Sequence, residues 1–194
     1  MKNRVITISR EFGSGGRTVG KQAAAKLGIP CYDQELLEQL AQESGFTQDY
    51  VAEQAEYALR GGWIANALAG RSPAGVSAQD YLWIIQRQLI LDLATKGPCV
   101  IVGRCADYIL RDDADCLTAF IHADPALRAQ RVVTVYGARE DAPEKRVRDK
   151  DKRRAAYYQF YTDLAWGQAN NYHIALDSGA LGLERCAELL AGLF

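Results

Sequence analysis

The chain has 194 residues, the size of one compact domain, and 48% of them are apolar, ample for a buried core. Its formal net charge of −1 supplies no overall basic field for nucleic acid or an anionic membrane surface. Five scattered cysteines (Cys31, Cys99, Cys105, Cys116, Cys186) without a CxxC pair, and two separated histidines, argue against a zinc site or disulfide framework. They read instead as reduced thiols of a cytoplasmic protein. The first residues lack the apolar core and cleavage pattern of a signal peptide, and no stretch approaches the ~20 apolar residues of a membrane span.

In chain order, RVITIS (Arg4–Ser9) is short and rich in β-branched residues, the pattern of a buried strand. After a glycine-rich turn, Val19, Ala23 and Leu27 recur at one helical spacing and predict a helix closed by Gly28. IPCYD (Ile29–Asp33) reads as a second strand, and QELLEQLAQESG as a helix ended by glycine. From Phe46 to Lys96 no strand is predicted. TQDYVAEQAEYALR and SAQDYLWIIQRQLILDLATKG read as helices capped by Thr47 and Ser77, joined by a Gly/Ser/Pro-rich connection that includes Trp63. PCVIVG (Pro98–Gly103) is a third strand, RCADYILR a short helix, and CLTAFIHA (Cys116–Ala123) a fourth strand. DPALRAQRVVTVYG is a helix opened by Asp124 with Pro125 in its first turn. A charged helical segment runs from Arg139 to about Trp166. YHIAL (Tyr172–Leu176) is a fifth strand, and GLERCAELLAGLF the last helix.

Five apolar strands alternating with helices predict an α/β fold, a five-stranded parallel sheet covered on both faces as a three-layer sandwich. Ligands of such sheets sit at the carboxyl ends of the strands. The glycine run, Asp33, Arg104 and Asp124 all follow strand ends, so their polar groups are expected on one edge.

Strand, glycine loop, helix is the arrangement in which backbone N–H groups surround phosphate oxygens, and glycine lets the backbone approach the anion. The usual pattern is G-x-x-x-x-G-K-[ST]. One register aligns Gly15, Gly20 and Lys21 but puts Gln22 in place of the hydroxyl. The preferred register aligns Gly16, Arg17 and Thr18 with G-K-T, because it starts the helix where the Val19/Ala23/Leu27 face requires. Arg17 then stands for the lysine as a two-pronged donor, and Thr18 is the magnesium-side hydroxyl. A ligand-free turn is the alternative.

Phosphoryl transfer needs positive charge around the moving group. Arg17, Arg104, Arg131, Arg148, Arg153 and Arg154 are available, and Asp151 and Arg154 share one helix face at i, i+3. The competing reading of EKRVRDKDKRRAA is a solvated helix laced with ion pairs. A nucleic-acid patch fares worse, since acids interrupt the run. Tyr157, Tyr158 and Tyr161 are expected to pack this segment onto the body, and Trp83 to be core. His122 and His173 read as strand-end packing. Glu11 reads as a local ion-pair partner of Arg10 or Arg17, with an approach to Mg²⁺ left open. Asp33 could cap the following helix, approach a ligand, or both.

Together ITISREFGSGGRTVGKQAAAKLGIPCYD, VIVGRCADYIL, DKRRAAYYQFYTDLAWG and YHIALDSGALGLERCAELL resemble the cytidylate kinase-like proteins of the P-loop nucleoside monophosphate kinase group. The similarity covers nearly the full chain as one domain and is weakest from about Phe46 to Lys96. It implies a P-loop core, a helical acceptor-binding insertion over about 46–96 and an arginine-rich lid over about 139–166. It implies transfer of the ATP γ-phosphoryl group, with Mg²⁺, to CMP or dCMP. By matching positions, Gly13, Ser14, Gly15, Gly16, Arg17 and Thr18 would hold the ATP phosphates, and Asp177 and Ser178 would lie on the adenine side. Arg104 would hold the acceptor phosphate with Asp33 nearby, and Arg131, Arg148, Asp151 and Arg154 would form the lid-side cluster. Typical members carry a lysine where Arg17 stands. A kinase for another small metabolite and a non-catalytic nucleotide-binding module remain as alternatives.

Overall fold

A computed structural model describes residues 4–47, 49, 77–137 and 142–194. β1 (Arg4–Arg10) is the central strand of a five-stranded sheet in the order β2-β3-β1-β4-β5. Its neighbours are β2 (Cys31–Tyr32), β3 (Cys99–Val102), β4 (Asp115–His122) and β5 (Ile174–Asp177), and every pairing is parallel. The chain leaves β1 toward β2, beyond β3, but leaves β4 toward β5 on the other side. The connections therefore diverge at the carboxyl ends of β1 and β4, where a parallel sheet opens a crevice.

Side chains of β1 alternate between two cores, as a strand covered on both faces requires. Ile6 and Ile8 pack with Val19 and Ala23 of α1 (Gly16–Leu27) and with Cys186 and Leu190 of α7 (Leu183–Gly192). Val5 packs on the opposite face with Leu40 of α2 (Gln34–Ser44), Ile90 of α3 (Ala78–Lys96) and Ile109 of α4 (Ala106–Ile109). After β4 come α5 (Pro125–Tyr136) and the charged α6 (Pro143–Thr162), which pack against each other and, through Val132 and Val147, against Phe12. The three-layer sandwich is as the strand pattern predicts.

Local chemistry sets the helix ends. Ser77 Oγ accepts from Asp80 N at 3.1 Å, and Asp124 Oδ1 accepts from Ala126 N at 2.8 Å with Pro125 in the first turn. The short helix after β3 begins later than its sequence suggests. Arg104 and Cys105 adopt left-handed backbone angles (φ 63° and 53°), so only Ala106–Ile109 is helical. Asp33 precedes α2 but makes no capping bond through its side chain, which removes the cap reading. The helix expected after Thr47, the connection with Trp63, and the start of the charged segment at Arg139 lie outside the described residues. Among the described residues no helix is long and apolar enough to cross a membrane.

Helix α1 reaches the sheet through Gly20, where a Cβ would stand 2.9 Å from Val102 Cγ2 and 3.2 Å from Ile8 Cδ1. Gly20→Val is expected to cost about 1–3 kcal/mol of stability by overpacking. The check is the urea midpoint; an unchanged midpoint would show that α1 can shift from the sheet at no cost.

Candidate functional site

Helix α1 starts at Gly16, directly after left-handed Gly15, so the register placing Gly16, Arg17 and Thr18 at the turn into the helix is the one the backbone adopts. Lys21 lies farther along α1 and is exposed. Gly13 and Gly15 hold φ of 79° and 81°, which side-chain-bearing residues rarely adopt. A Cβ on Gly13 would lie 2.7 Å from the Arg128 carbonyl, and one on Gly15 would lie 2.4 Å from Leu183 Cδ2.

Three consecutive carbonyls of this loop are held by side chains from other elements. The Phe12 carbonyl accepts from Arg128 Nη1 (3.2 Å), that of Gly13 from Arg131 Nη1 (3.1 Å), and that of Ser14 from Ser178 Oγ (2.5 Å). A trans peptide points its N–H opposite its C=O. Tethering these carbonyls therefore fixes the directions of the Gly13, Ser14 and Gly15 N–H groups. Ser178, expected on the adenine side, instead buttresses the loop from the end of β5. Asp177 beside it accepts from Gly179 N (2.8 Å) and Ala180 N (3.2 Å), and these bonds lower its pKa.

The loop borders a cleft of about 310 Å³ lined by Arg10, Arg17, Arg131 and Arg154 against one carboxylate, Glu11. Thr18 lines it as well. A smaller cavity of about 20 Å³ adjoins it, lined by Arg10, Arg104 and Arg154 with Ser9, Tyr157 and Tyr158. Arg10 and Arg154 thus face both spaces. Gly103 makes room for this: a Cβ there would stand 2.0 Å from Arg10 Nη1. Arg154 is oriented by donating to the Arg10 carbonyl at 3.1 Å, and Arg104 is 5% exposed with its own carbonyl accepting from Gln86 Nε2 at 3.2 Å.

Other expected residues fall differently. Arg17, which lines the cleft, forms an ion pair with buried Asp33, which does not. Asp151 turns away from both spaces, its oxygens accepting from Phe12 N (2.7 Å) and Arg128 Nη1 (2.5 Å). Arg148 is exposed on α6 and lines neither space. Glu11 pairs with Arg128 (3.2 Å) rather than Arg10 or Arg17, and accepts from Ala123 N (3.1 Å). Burial nevertheless raises its pKa. His122 packs at the end of β4 beside Phe120, and His173 Nδ1 accepts from Thr118 N (3.1 Å) at the sheet margin. Trp83 stacks on Tyr161 at 4.2 Å, and the tyrosines of α6 pack inward as expected.

The sequence offers Arg10 only as a partner for Glu11 and gives Arg128, Gln86 and Asp107 no role at the site. Gln86 carried a signal, a polar residue within the apolar stripe Leu82, Leu89, Leu93 of α3. Asp107 likewise is an acid in a four-residue helix that is otherwise mostly apolar. It accepts from Tyr158 Oη (2.6 Å) and Ser9 Oγ (3.4 Å) behind the smaller cavity. The cleft's donor set, a Thr18 hydroxyl and the Glu11 carboxylate, fits a cation such as Mg²⁺ that completes its shell with phosphates and water.

Burial raises the Asp107 pKa, with the Tyr158 bond opposing. The folded state then binds this proton more tightly than the unfolded chain, so the contribution to stability falls as pH rises from 3.8 to the raised value. Asp107→Asn is expected to flatten that decline in a plot of melting temperature against pH. A decline parallel to wild type would place the titration elsewhere.

A sequence profile of the cytidylate kinase-like family matches residues 5–180. A search of curated proteins finds no match. Among solved structures, one similar to this chain is the crystal structure of an uncharacterized protein from Eubacterium ventriosum ATCC 27560. It has a TM-score of 0.73 and 28% identity, covering 97% of this chain and 96% of that one. Shikimate kinase from Acinetobacter baumannii in complex with shikimate shares the fold at TM-score 0.56 and 14% identity, covering 100% of this chain and 93% of that one. A gluconokinase from Sinorhizobium meliloti 1021 does so at TM-score 0.53 and 16% identity, covering 98% and 93%. The profile runs from β1 through the glycine loop and α6 to the turn after β5, and on that match the chain belongs to the cytidylate kinase-like family.

Proposed function

We propose that this protein transfers the γ-phosphoryl group of ATP to a nucleoside monophosphate, with CMP or dCMP as the acceptor. The observation that carries this reading is the pair of adjoining spaces that share Arg10 and Arg154. Two anions seated side by side, with guanidinium groups facing both, are what a phosphoryl donor and a phosphorylated acceptor require. Three arginines around the smaller space favour an acceptor that itself bears phosphate over a neutral hydroxyl compound.

The larger cleft takes the triphosphate on the N–H groups of Gly13 and of Gly15 to Thr18, the buried Ser14 N–H being bonded to the Glu11 carbonyl (3.3 Å), with the N-terminus of α1 adding a favourable dipole. Arg17 and Arg131 stand along it. Arg104 and Arg10 hold the acceptor phosphate. An acceptor phosphate oxygen then attacks the γ-phosphorus as the bond to the β,γ-bridging oxygen breaks, and ADP leaves. Arg154 stabilises the charge spread over the transferring group, a positioning and electrostatic role. Thr18 would hold the Mg²⁺, which when bound neutralises charge on the β- and γ-phosphates. The segment of about 139–166, with helix α6, serves as the lid that carries Arg154, and the segment of about 46–96 serves as the acceptor-side insertion. The family relationship supports cytosine as the base, whereas the arginine geometry supports the phosphate chemistry.

A coupled ADP-release assay across CMP, dCMP, UMP, AMP and GMP tests this. Turnover highest with CMP or dCMP is expected; turnover with none of the pyrimidine nucleotides would overturn the acceptor assignment. Arg154→Ala is expected to lower kcat by about 10²–10³ while the protein stays folded. Arg104→Ala is expected to raise KM for the acceptor far more than KM for ATP, and the reverse ratio would exchange the two assigned spaces.

A further inference from the structure

Arg128 and Asp151 line neither space, yet they meet the glycine loop at a single residue. Phe12 N donates to Asp151 Oδ1 at 2.7 Å, and the Phe12 carbonyl accepts from Arg128 Nη1 at 3.2 Å. The same Nη1 lies 2.5 Å from Asp151 Oδ2. One ion pair, joining α5 to α6, therefore holds both polar backbone groups of Phe12. Arg128 is 5% exposed, donates through Nε to the Ala123 carbonyl (2.9 Å), and is approached by Glu11 (3.2 Å). Its own backbone carbonyl lies where a Cβ on Gly13 would need to go.

One turn along α6 the grip is repeated. Arg154 donates to the Arg10 carbonyl at 3.1 Å, and its guanidinium lies 5.7 Å from the centre of the Phe12 ring. Asp151 and Arg154 sit at i, i+3, so one face of α6 holds the segment Arg10–Phe12 at both ends. A rigid shift of α6 away from the body would break these contacts together. The Phe12 N–H would then lose its acceptor, and Arg128, which sets the direction of the Phe12–Gly13 peptide from α5, would lose the carboxylate that steadies its Nη1.

We propose that Arg128 and Asp151 are positioning residues that make the shape of the phosphate loop depend on the docking of α6. With α6 docked, the loop is held in the form that presents its N–H groups. With α6 lifted, the Phe12 N–H loses Asp151, Arg128 loses the carboxylate that steadies its hold on the Phe12 carbonyl, and the loop relaxes. Nucleotide affinity is thereby tied to a helix residue, Asp151, that does not border the nucleotide cleft. The nucleotide part of this proposal rests on the function proposed above; the mechanical coupling does not.

Hydrogen exchange of the full, ligand-free chain tests the coupling directly. Asp151→Ala is expected to speed amide exchange across residues 12–16 at least tenfold, leaving Val19–Ala25 within α1 unchanged. Asp151→Asn keeps an oxygen for Phe12 N but loses the charge facing Arg128, so its increase is expected to be smaller, about threefold. It carries the test if the alanine variant fails to fold. A non-hydrolysable ATP analogue is expected to bind Asp151→Ala about tenfold more weakly than wild type by calorimetry. Loop exchange matching wild type in the folded variants would overturn the coupling. A wild-type protein that binds no analogue, while its loop exchange still responds to Asp151, would overturn the nucleotide reading and leave the coupling in place.

Discussion

The planarity of the peptide bond is the constraint on which the rest of this site depends. A loop can surround an anion with N–H groups only if its carbonyls are turned elsewhere, and buried carbonyls need partners of their own. Here three successive carbonyls find them in Arg128, Arg131 and Ser178, which arrive from two different elements beyond β4. The positive φ of Gly13 and Gly15 lets the chain make that turn. The loop is thus shaped from behind by residues more than a hundred positions away in sequence.

The second requirement is to gather guanidinium groups without neutralising them. Like charges at close range repel by several kcal/mol at an effective dielectric near 20, roughly 4 kcal/mol at 4 Å. Much of the anchoring in this fold uses neutral carbonyl acceptors: Arg154 on Arg10, Arg131 on Gly13, Arg128 on Ala123 and Phe12. A carbonyl fixes an arginine in space and leaves its net charge in place. Of the carboxylate pairs, those of Arg128 stand behind the loop, and that of Arg17 joins it to buried Asp33. Arg131 and Arg154 do both at once, tethering a backbone carbonyl while facing the space for anions.

Much of the fold was legible in the sequence because strand and helix periodicities are local. The alternation of Ile6 and Ile8 against Val5, and the Val19/Ala23 face of α1, map directly onto the two cores. The register of the glycine loop could be chosen because the helix face demanded a start near Gly16. Conversely, the left-handed turn at Arg104 and Cys105 gave no local sign. Neither residue favours positive φ, and the bond from Gln86 that holds the Arg104 carbonyl comes from α3. Asp33 looked like a helix cap for the same local reasons that make such caps common, but Arg17 takes its carboxylate instead.

The site divides along the same line. Sequence order by itself determined that a glycine loop, Arg104 and Ser178 would follow strand ends, because a parallel sheet collects those ends on one edge. It also determined that Asp151 and Arg154 share a helix face, because that follows from helical pitch. Only the tertiary structure decided that Arg10 and Arg154 would face two spaces at once, that Arg128 would be a buried strut, and that Asp151 would grip Phe12 rather than border the cleft. Those outcomes depend on how α5 and α6 pack against the loop. Pairings between distant residues leave no periodic trace in a single chain.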